Sequence, residues 1–355
     1  MTSTSILGPG PPAKPHLLST KTTSSIFSWW YWILSLLRPS KSPKMAEIKT
    51  WTVTEPYLNI HCALGEGPFY EADRNTLRFV DIMKKHLHTV DLTVGPGSLK
   101  TLQLDMPVGV TADIEGVDAS KKILVGGKSG IYTLERETGK HELLKRFYDT
   151  EEKDERLRSN DGAVDPEGRF WIGTMNDFWV GEPQPEGTIF RFNTDLSRYT
   201  ARSSITIPNS IRWSPDHKTL YFVDSKKRRL IAFDYSASTA DLSNERVFFV
   251  YEGGGEPDGC RLDVEGNIWQ AIYGDSCVLK ISPQGKVIGR VDYPTKNITC
   301  PVFVGTELWV TTAGGDEEKY SGGVFQSRCR GGRSKGLQVQ TGKGCSRVVR
   351  SQLVP

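Results

Sequence analysis

The chain has 355 residues, of which 37% are apolar and 25% charged, with a formal net charge of +3. This composition excludes a disordered or collagen-like chain, and 35 Gly with 20 Pro lean toward a turn-rich, all-β protein. The charge is uneven: residues 1–48 hold five Lys/Arg against Glu47, residues 327–355 hold seven and no acid, and the segment between them is net −8. Basic ends on an acidic body speak against nucleic acid as a partner and suit a cation site.

Residues 1–48 read as a disordered or targeting leader. Their apolar run, Ile26–Leu37 with Trp29, Trp30, Tyr31 and Trp32, is twelve residues long. A bilayer span needs about 20. The run fits an interfacial anchor, a transit-like segment, or a leader placed ahead of a natural start at Met45-Ala46-Glu47. Membrane contact is expected only if the Trp-rich segment is retained. The expected location is cytoplasmic, or an organelle or the exterior if residues 1–44 act as a leader.

Residues 49–326 contain an internal repeat. Apolar runs recur at Leu77–Asp81, Ile123–Gly127, Phe170–Thr174, Leu220–Asp224, Ile268–Ile272 and Leu308–Thr312, spaced by 46, 47, 50, 48 and 40 residues. Several follow a turn: Asp165-Pro-Glu-Gly168, Ser214-Pro-Asp-His217 and Asp263-Val-Glu-Gly266. A second strand follows each run, at Leu87–Leu92, Ile131–Glu135, Ile189–Asn193, Leu230–Tyr235, Val278–Ser282 and Val324–Gln326. Two further short strands fit between units, which gives the size of a propeller blade. Helical periodicity is absent. The reading is an all-β, six-bladed β-propeller with non-propeller tails; a β-solenoid is the competitor, with repeats that are usually shorter. Residues 327–355 read as a basic, disordered tail.

In a propeller the innermost strand of each blade lines the axis, so matching positions converge there. Counting back ten or eleven residues from each run gives Glu66, Asn160, Asn209 and Asp258 in blades 1, 3, 4 and 5. Blade 2 gives Asp113, and blade 6 only Ile298 or Asn297. Ordinary turn chemistry explains any one Asn or Asp beside Gly. Four oxygen donors in one register point to a hard divalent cation such as Ca²⁺, Mg²⁺ or Mn²⁺. The six His do not cluster with ligand spacing, and His86-x-His88 reads as a surface pair on one strand face. Six Cys show no C-x-x-C pair and read as free buried thiols. No nucleophile elbow or phosphate loop is present.

The stretches LGEGPFYEADRNTLRFVDI (64–82), RSNDGAVDPEGRFWIGTM (158–175), PNSIRWSPDHKTLYFVDS (208–225) and PDGCRLDVEGNIWQAIYG (257–274) resemble the regucalcin/gluconolactonase (senescence marker protein) family. The resemblance implies a six-bladed propeller, one divalent cation (Ca, Mg, Mn or Zn) and hydrolysis of small sugar lactones. By motif, it implies Glu66, Asn209 and Asp258 as metal ligands, Arg158 and Asn160 as substrate contacts, and Asp258 as general base. After Gly173-Thr-Met175 the family often places an acidic substrate contact; here Asp177 in Asn176-Asp-Phe-Trp179 stands in its place. The segment after Phe325 departs from the family's closing strand. The expectation is a monomeric, metal-dependent lactonase acting on a small-molecule sugar lactone. The alternatives are a non-catalytic calcium-binding regulatory propeller and a propeller esterase or phosphotriesterase.

Overall fold

A computed structural model describes residues 48–315, 319–328 and 347–348. The apolar run 26–37, the Met45 start and most of the basic tail lie outside the described residues.

Six sheets follow one another along the chain. Blade 1 spans residues 65–103, blade 2 residues 110–146, blade 3 residues 157–205, blade 4 residues 208–250, blade 5 residues 256–292 and blade 6 residues 298–327. Blades 1 to 5 each contribute four consecutive antiparallel strands, and blade 6 contributes three. The inner strands of neighbouring blades touch all the way round, and the first meets the last. The protein is a six-bladed β-propeller.

Every apolar run found in the sequence is the second strand of its blade. These strands are buried on both faces, as at Thr76–Asp81 and Phe170–Asn176, because each blade is packed between two others. That double burial replaces the usual alternation with a continuous apolar run. Six apolar clusters result, one in each seam between adjacent blades. The seam between blades 2 and 3, for example, packs Leu124, Phe147, Phe170, Ile172, Phe190 and Phe192. Emptying one such position (Phe→Ala) costs about 3–5 kcal/mol.

The turns ahead of the runs are built as expected. Gly168 and Gly266 take φ of +83° and +80°, and their N–H groups donate to the Asp165 and Asp263 carbonyls at 3.0 Å. The same aspartates reach into the next strand: Trp171 Nε1 donates to Asp165 at 3.0 Å and Trp269 Nε1 to Asp263 at 3.1 Å. Each turn therefore anchors the buried indole six residues later.

The ring closes through the N-terminal segment. Tyr57 and Leu58 donate to the Val324 carbonyl at 2.8 and 3.1 Å, and Val324 returns a bond to Leu58 at 2.8 Å. This segment fills the place beside the last strand of blade 6. Lys49–Thr52 adds a parallel strand outside blade 5, and Arg347–Val348 pairs in parallel with Asp113–Ile114 of blade 2.

Cys62, Cys260, Cys277 and Cys300 are free and buried, as the spacing suggested. The His86-x-His88 reading needs correction. His88 is buried, stacked on Phe79 and hydrogen-bonded to Thr101, because its strand lies against the seam with blade 6.

Candidate active site

The inner strands of blades 1, 3, 4, 5 and 6 all break register near their starts, between Glu66 and Phe69, Ser159 and Gly162, Asn209 and Arg212, Pro257 and Cys260, and Ile298 and Cys300. Such a bulge bends the strand and re-aims the side chains at it. Glu66, Asn160, Asn209 and Asp258 sit at these bulges. Blade 2 runs without a break, pairing Val110 with Gly126 and Thr111 with Val125. Val110, opposite Gly126, holds the register position that Glu66 holds opposite Val80. Asp113 lies further along and is ion-paired with Arg78 Nη1 at 2.6 Å, so the count that selected it was three residues off. Blade 6 supplies Thr299, rather than Ile298 or Asn297, and its hydroxyl is spent on the Gly65 carbonyl at 2.6 Å.

Glycine makes the bulges possible. Gly67 has φ of +54°, a region costly for other residues. A Cβ on Gly259 would meet Cys300 Sγ at 2.5 Å and its Cα at 3.0 Å, so only Gly lets blades 5 and 6 approach here.

Asn160 and Asn209 are in contact, and the charge of Glu66 reaches Asp258. Asn160 Nδ2 donates to Asn209 Oδ1 at 3.0 Å and to the Pro208 carbonyl at 3.0 Å. Asn209 Nδ2 donates to Ser225 Oγ at 2.9 Å, which leaves its Oδ1 turned toward blade 3. Arg158 Nη1 donates to Asn160 Oδ1 at 3.1 Å and to the Ser159 carbonyl at 2.6 Å. Glu66 accepts from Gly67 N at 2.9 Å. Burial raises the pKa of Glu66, and the neighbouring Asp161 raises it further. Burial also pushes Asp258 well above the ordinary carboxylate range, with Glu66 and then Asp161 adding to it. The charge of Glu66 thus reaches Asp258, while Arg212 and Arg158 offset only part of the upward shift of Glu66.

Arg158 is 1% exposed, and its Nε and Nη2 have no hydrogen-bond partner. Burial pulls its pKa down to about 10, against the fields of Asp177 and Glu66, so it remains a cation at neutral pH. Unpaired buried guanidinium nitrogens carry a large desolvation cost, which a bound oxygen ligand would relieve. Asp177 lies apart from the amide pair. One carboxylate oxygen accepts from Phe178 N at 2.8 Å and the other pairs with Lys128.

Asp161 was not singled out in the sequence, yet it belongs to this layer. It accepts from Gly162 N at 2.7 Å and Ser210 N at 2.9 Å, and faces Arg212 at 3.7 Å. The signal was present: Glu66-Gly67, Asp161-Gly162 and Asp258-Gly259 repeat an acid–Gly pair in three blades. Ser210 and Gln270 hold the Asp258 backbone by donating to its carbonyl, Gln270 at 2.8 Å.

Among the described residues, no three His, Cys, Asp or Glu side chains form a metal cage by themselves. The set here is different: two carboxylates and an amide oxygen, all hard donors. Two buried carboxylates whose pKa values are raised by burial and by neighbouring acids fit a cation of the +2 class, which would relieve both. The donor set therefore suits a divalent ion on chemical grounds.

The profile described as "SMP-30/Gluconolactonase/LRE-like region" matches residues 64–314. Pentonolactonase XacC of Haloferax volcanii is 32% identical over 275 residues, covering 76% of this chain and 88% of that protein. Regucalcin of Xenopus laevis is 32% identical over 281 residues, covering 74% of this chain and 90% of its own length. The crystal structure of a calcium-binding protein, regucalcin, from Agrobacterium tumefaciens superimposes with a TM-score of 0.71 at 29% identity, over 79% of this chain and 95% of that one. With its ring of six blades and its bulged, acidic axis, the chain belongs to the SMP-30/gluconolactonase/LRE-like family.

Proposed function

We propose that the chain is a divalent-metal-dependent lactonase that opens small sugar lactones. One juxtaposition carries the reading: a hard-oxygen donor set lies beside a buried arginine with two unpartnered nitrogens. Relatives named as lactonases, including pentonolactonase XacC, support the same chemistry.

Glu66, Asn209 and Asp258 would hold the cation, which when bound supplies Lewis-acid polarisation of the lactone carbonyl. The residues of the chain do the rest. Asp258 accepts the proton of the attacking water and returns it to the ring oxygen as the acyl C–O bond breaks. A bound cation lowers its proton affinity, so it acts as a base of modest strength. Arg158 presents Nε and Nη2 to ring oxygens and supports negative charge as it develops. Asn160, bonded to both, ties Arg158 to Asn209. A lactone is already activated, so one base and one oriented cationic donor suffice for ring opening.

The test is proton release from D-glucono-1,5-lactone and pentonolactones by chelator-treated protein, with Ca²⁺, Mg²⁺, Mn²⁺ or Zn²⁺ restored one at a time. Turnover that returns with a divalent ion supports the reading. Cation binding without turnover of any lactone would replace it with a non-catalytic cation-binding propeller.

A further inference from the structure

The loop that follows the second strand of blade 3 opens on the same face of the ring as the start of the inner strands. It carries Phe178, Trp179 and Val180 in a single 3₁₀ turn. The Phe178 ring lies over the Arg158 guanidinium, 4.6 Å from its carbon to the ring centroid. Phe178 is nevertheless 40% exposed and Trp179 is 66% exposed. Large apolar side chains left in water next to a functional group are informative, whereas scattered ones are not.

The turn is held in place. Asp177 N donates to the Arg156 carbonyl at 2.7 Å, Val180 N to the Asp177 carbonyl at 2.9 Å, and Lys128 fixes the Asp177 carboxylate. Both Asp177 oxygens are thereby engaged, so the side of the mouth where a free carboxylate would greet sugar hydroxyls presents aromatic surface instead. On the same face of the ring, Tyr273 of blade 5 stands opposite Glu256 in register, two residues from Asp258, and is 37% exposed. The negative charge of Asp258 is among the causes that raise its phenol pKa.

We infer that Phe178 and Trp179, with Tyr273 on the same face of the ring, make a specificity wall that favours lactones presenting an apolar face, such as alkyl- or aryl-substituted rings, over fully hydroxylated ones. This rests on the lactonase reading and narrows its substrate class. The polar head of the ligand meets Arg158 and the axial oxygens, while its apolar side is buried against aromatic rings. Burial of apolar area at a prebuilt wall acts on binding, since the wall does not touch the reacting bond.

The test compares dihydrocoumarin with D-glucono-1,5-lactone in the wild-type protein and in Phe178→Ala and Trp179→Ala, each loaded with the divalent ion that gives the fastest turnover. The expected result is a kcat/KM at least about fivefold higher for dihydrocoumarin in the wild type. Each variant should raise KM for dihydrocoumarin about tenfold and lower the ratio of kcat/KM, dihydrocoumarin over gluconolactone, by about as much. Trp179 is the more exposed, so its variant keeps the test readable if Phe178→Ala lowers the melting temperature. A wild type that prefers gluconolactone, or variants that leave the ratio unchanged, would overturn the wall while leaving the lactonase reading intact. A wild type that opens neither lactone would overturn both.

Discussion

Asn160 of blade 3 donates its side-chain amide to Asn209 Oδ1 of blade 4 across 3.0 Å, and this bond joins two blades at the axis. Asn209 is held at its other end by Ser225. The orientation of one proposed ligand therefore depends on two residues that need not touch the cation.

Ser225→Ala should weaken divalent-cation affinity by about tenfold, and Asn160→Ala by up to about a hundredfold, the range for partners that orient a ligand. Calorimetric titration with Ca²⁺ and Mn²⁺ measures both. Unchanged affinity in both variants would remove Asn209 from the ligand set.

Asp258→Asn should lower kcat by about 10²–10⁴-fold, because the amide cannot accept the water's proton. Proton-release kinetics at saturating cation give the answer. Near wild-type turnover would assign the base elsewhere, with Asp161 the next carboxylate in the same layer.

A divalent ion should stabilise the protein more at higher pH. The folded-state pKa values of Glu66 and Asp258 lie above the ordinary carboxylate values. A carboxyl shifted in that direction takes up protons on folding, so the stability of the metal-free protein declines as pH climbs above the ordinary carboxylate range. A bound cation needs the ionised forms and reverses the slope. At a hundredfold excess over Kd the gain is about 2.7 kcal/mol. Thermal melts from pH 5 to 8, with and without Ca²⁺, should diverge with rising pH, and Glu66→Gln should collapse the difference.

Glu71 should set the acid limit of the fold. Burial alone would raise its pKa, but Arg78 and Arg136 hold it down to about 2, from 4.5. Arg78 pairs with it at 2.7 Å from a fully buried position. A carboxyl lowered in the folded state stabilises above its unfolded pKa, and that contribution is lost as pH falls from about 4.5 through about 2. Glu71→Gln should cost about 3 kcal/mol at pH 7 and converge with wild type near pH 2. Denaturant melts across that range check it; a constant gap would sink the assignment.

The parts of the fold that could be read in advance share a cause. The second strand of each blade is shielded on both sides, so its apolar run survives as a signal, and the Asp-x-Glu-Gly turns anchor a tryptophan at a fixed offset. The outer strands, such as Arg198–Ile205, face water along most of their length and carry no such run. Leu58 left no local trace because its partner, Val324, lies at the far end of the ring. At the axis, counting residues landed on the bulges of blades 1, 3, 4 and 5 and missed in blade 2, which has no bulge, and by one residue in blade 6. It also passed over Asp161, because a bulge brings two successive residues into play and the count selects one.

The hydrogen bonds between Leu58 and Val324 have a consequence for how the chain comes to life. The segment around Leu58, made before any blade, must wait with its partner unmade until the final blade has been translated. Until then the opening blade exposes one apolar flank, the surface of Leu77, Phe79 and Val90 that later meets Trp309. Long-range closure of this kind slows folding and leaves sticky surface on view. A nascent chain halted before residue 324 should therefore be bound by chaperones, and completion of the last blade should release it.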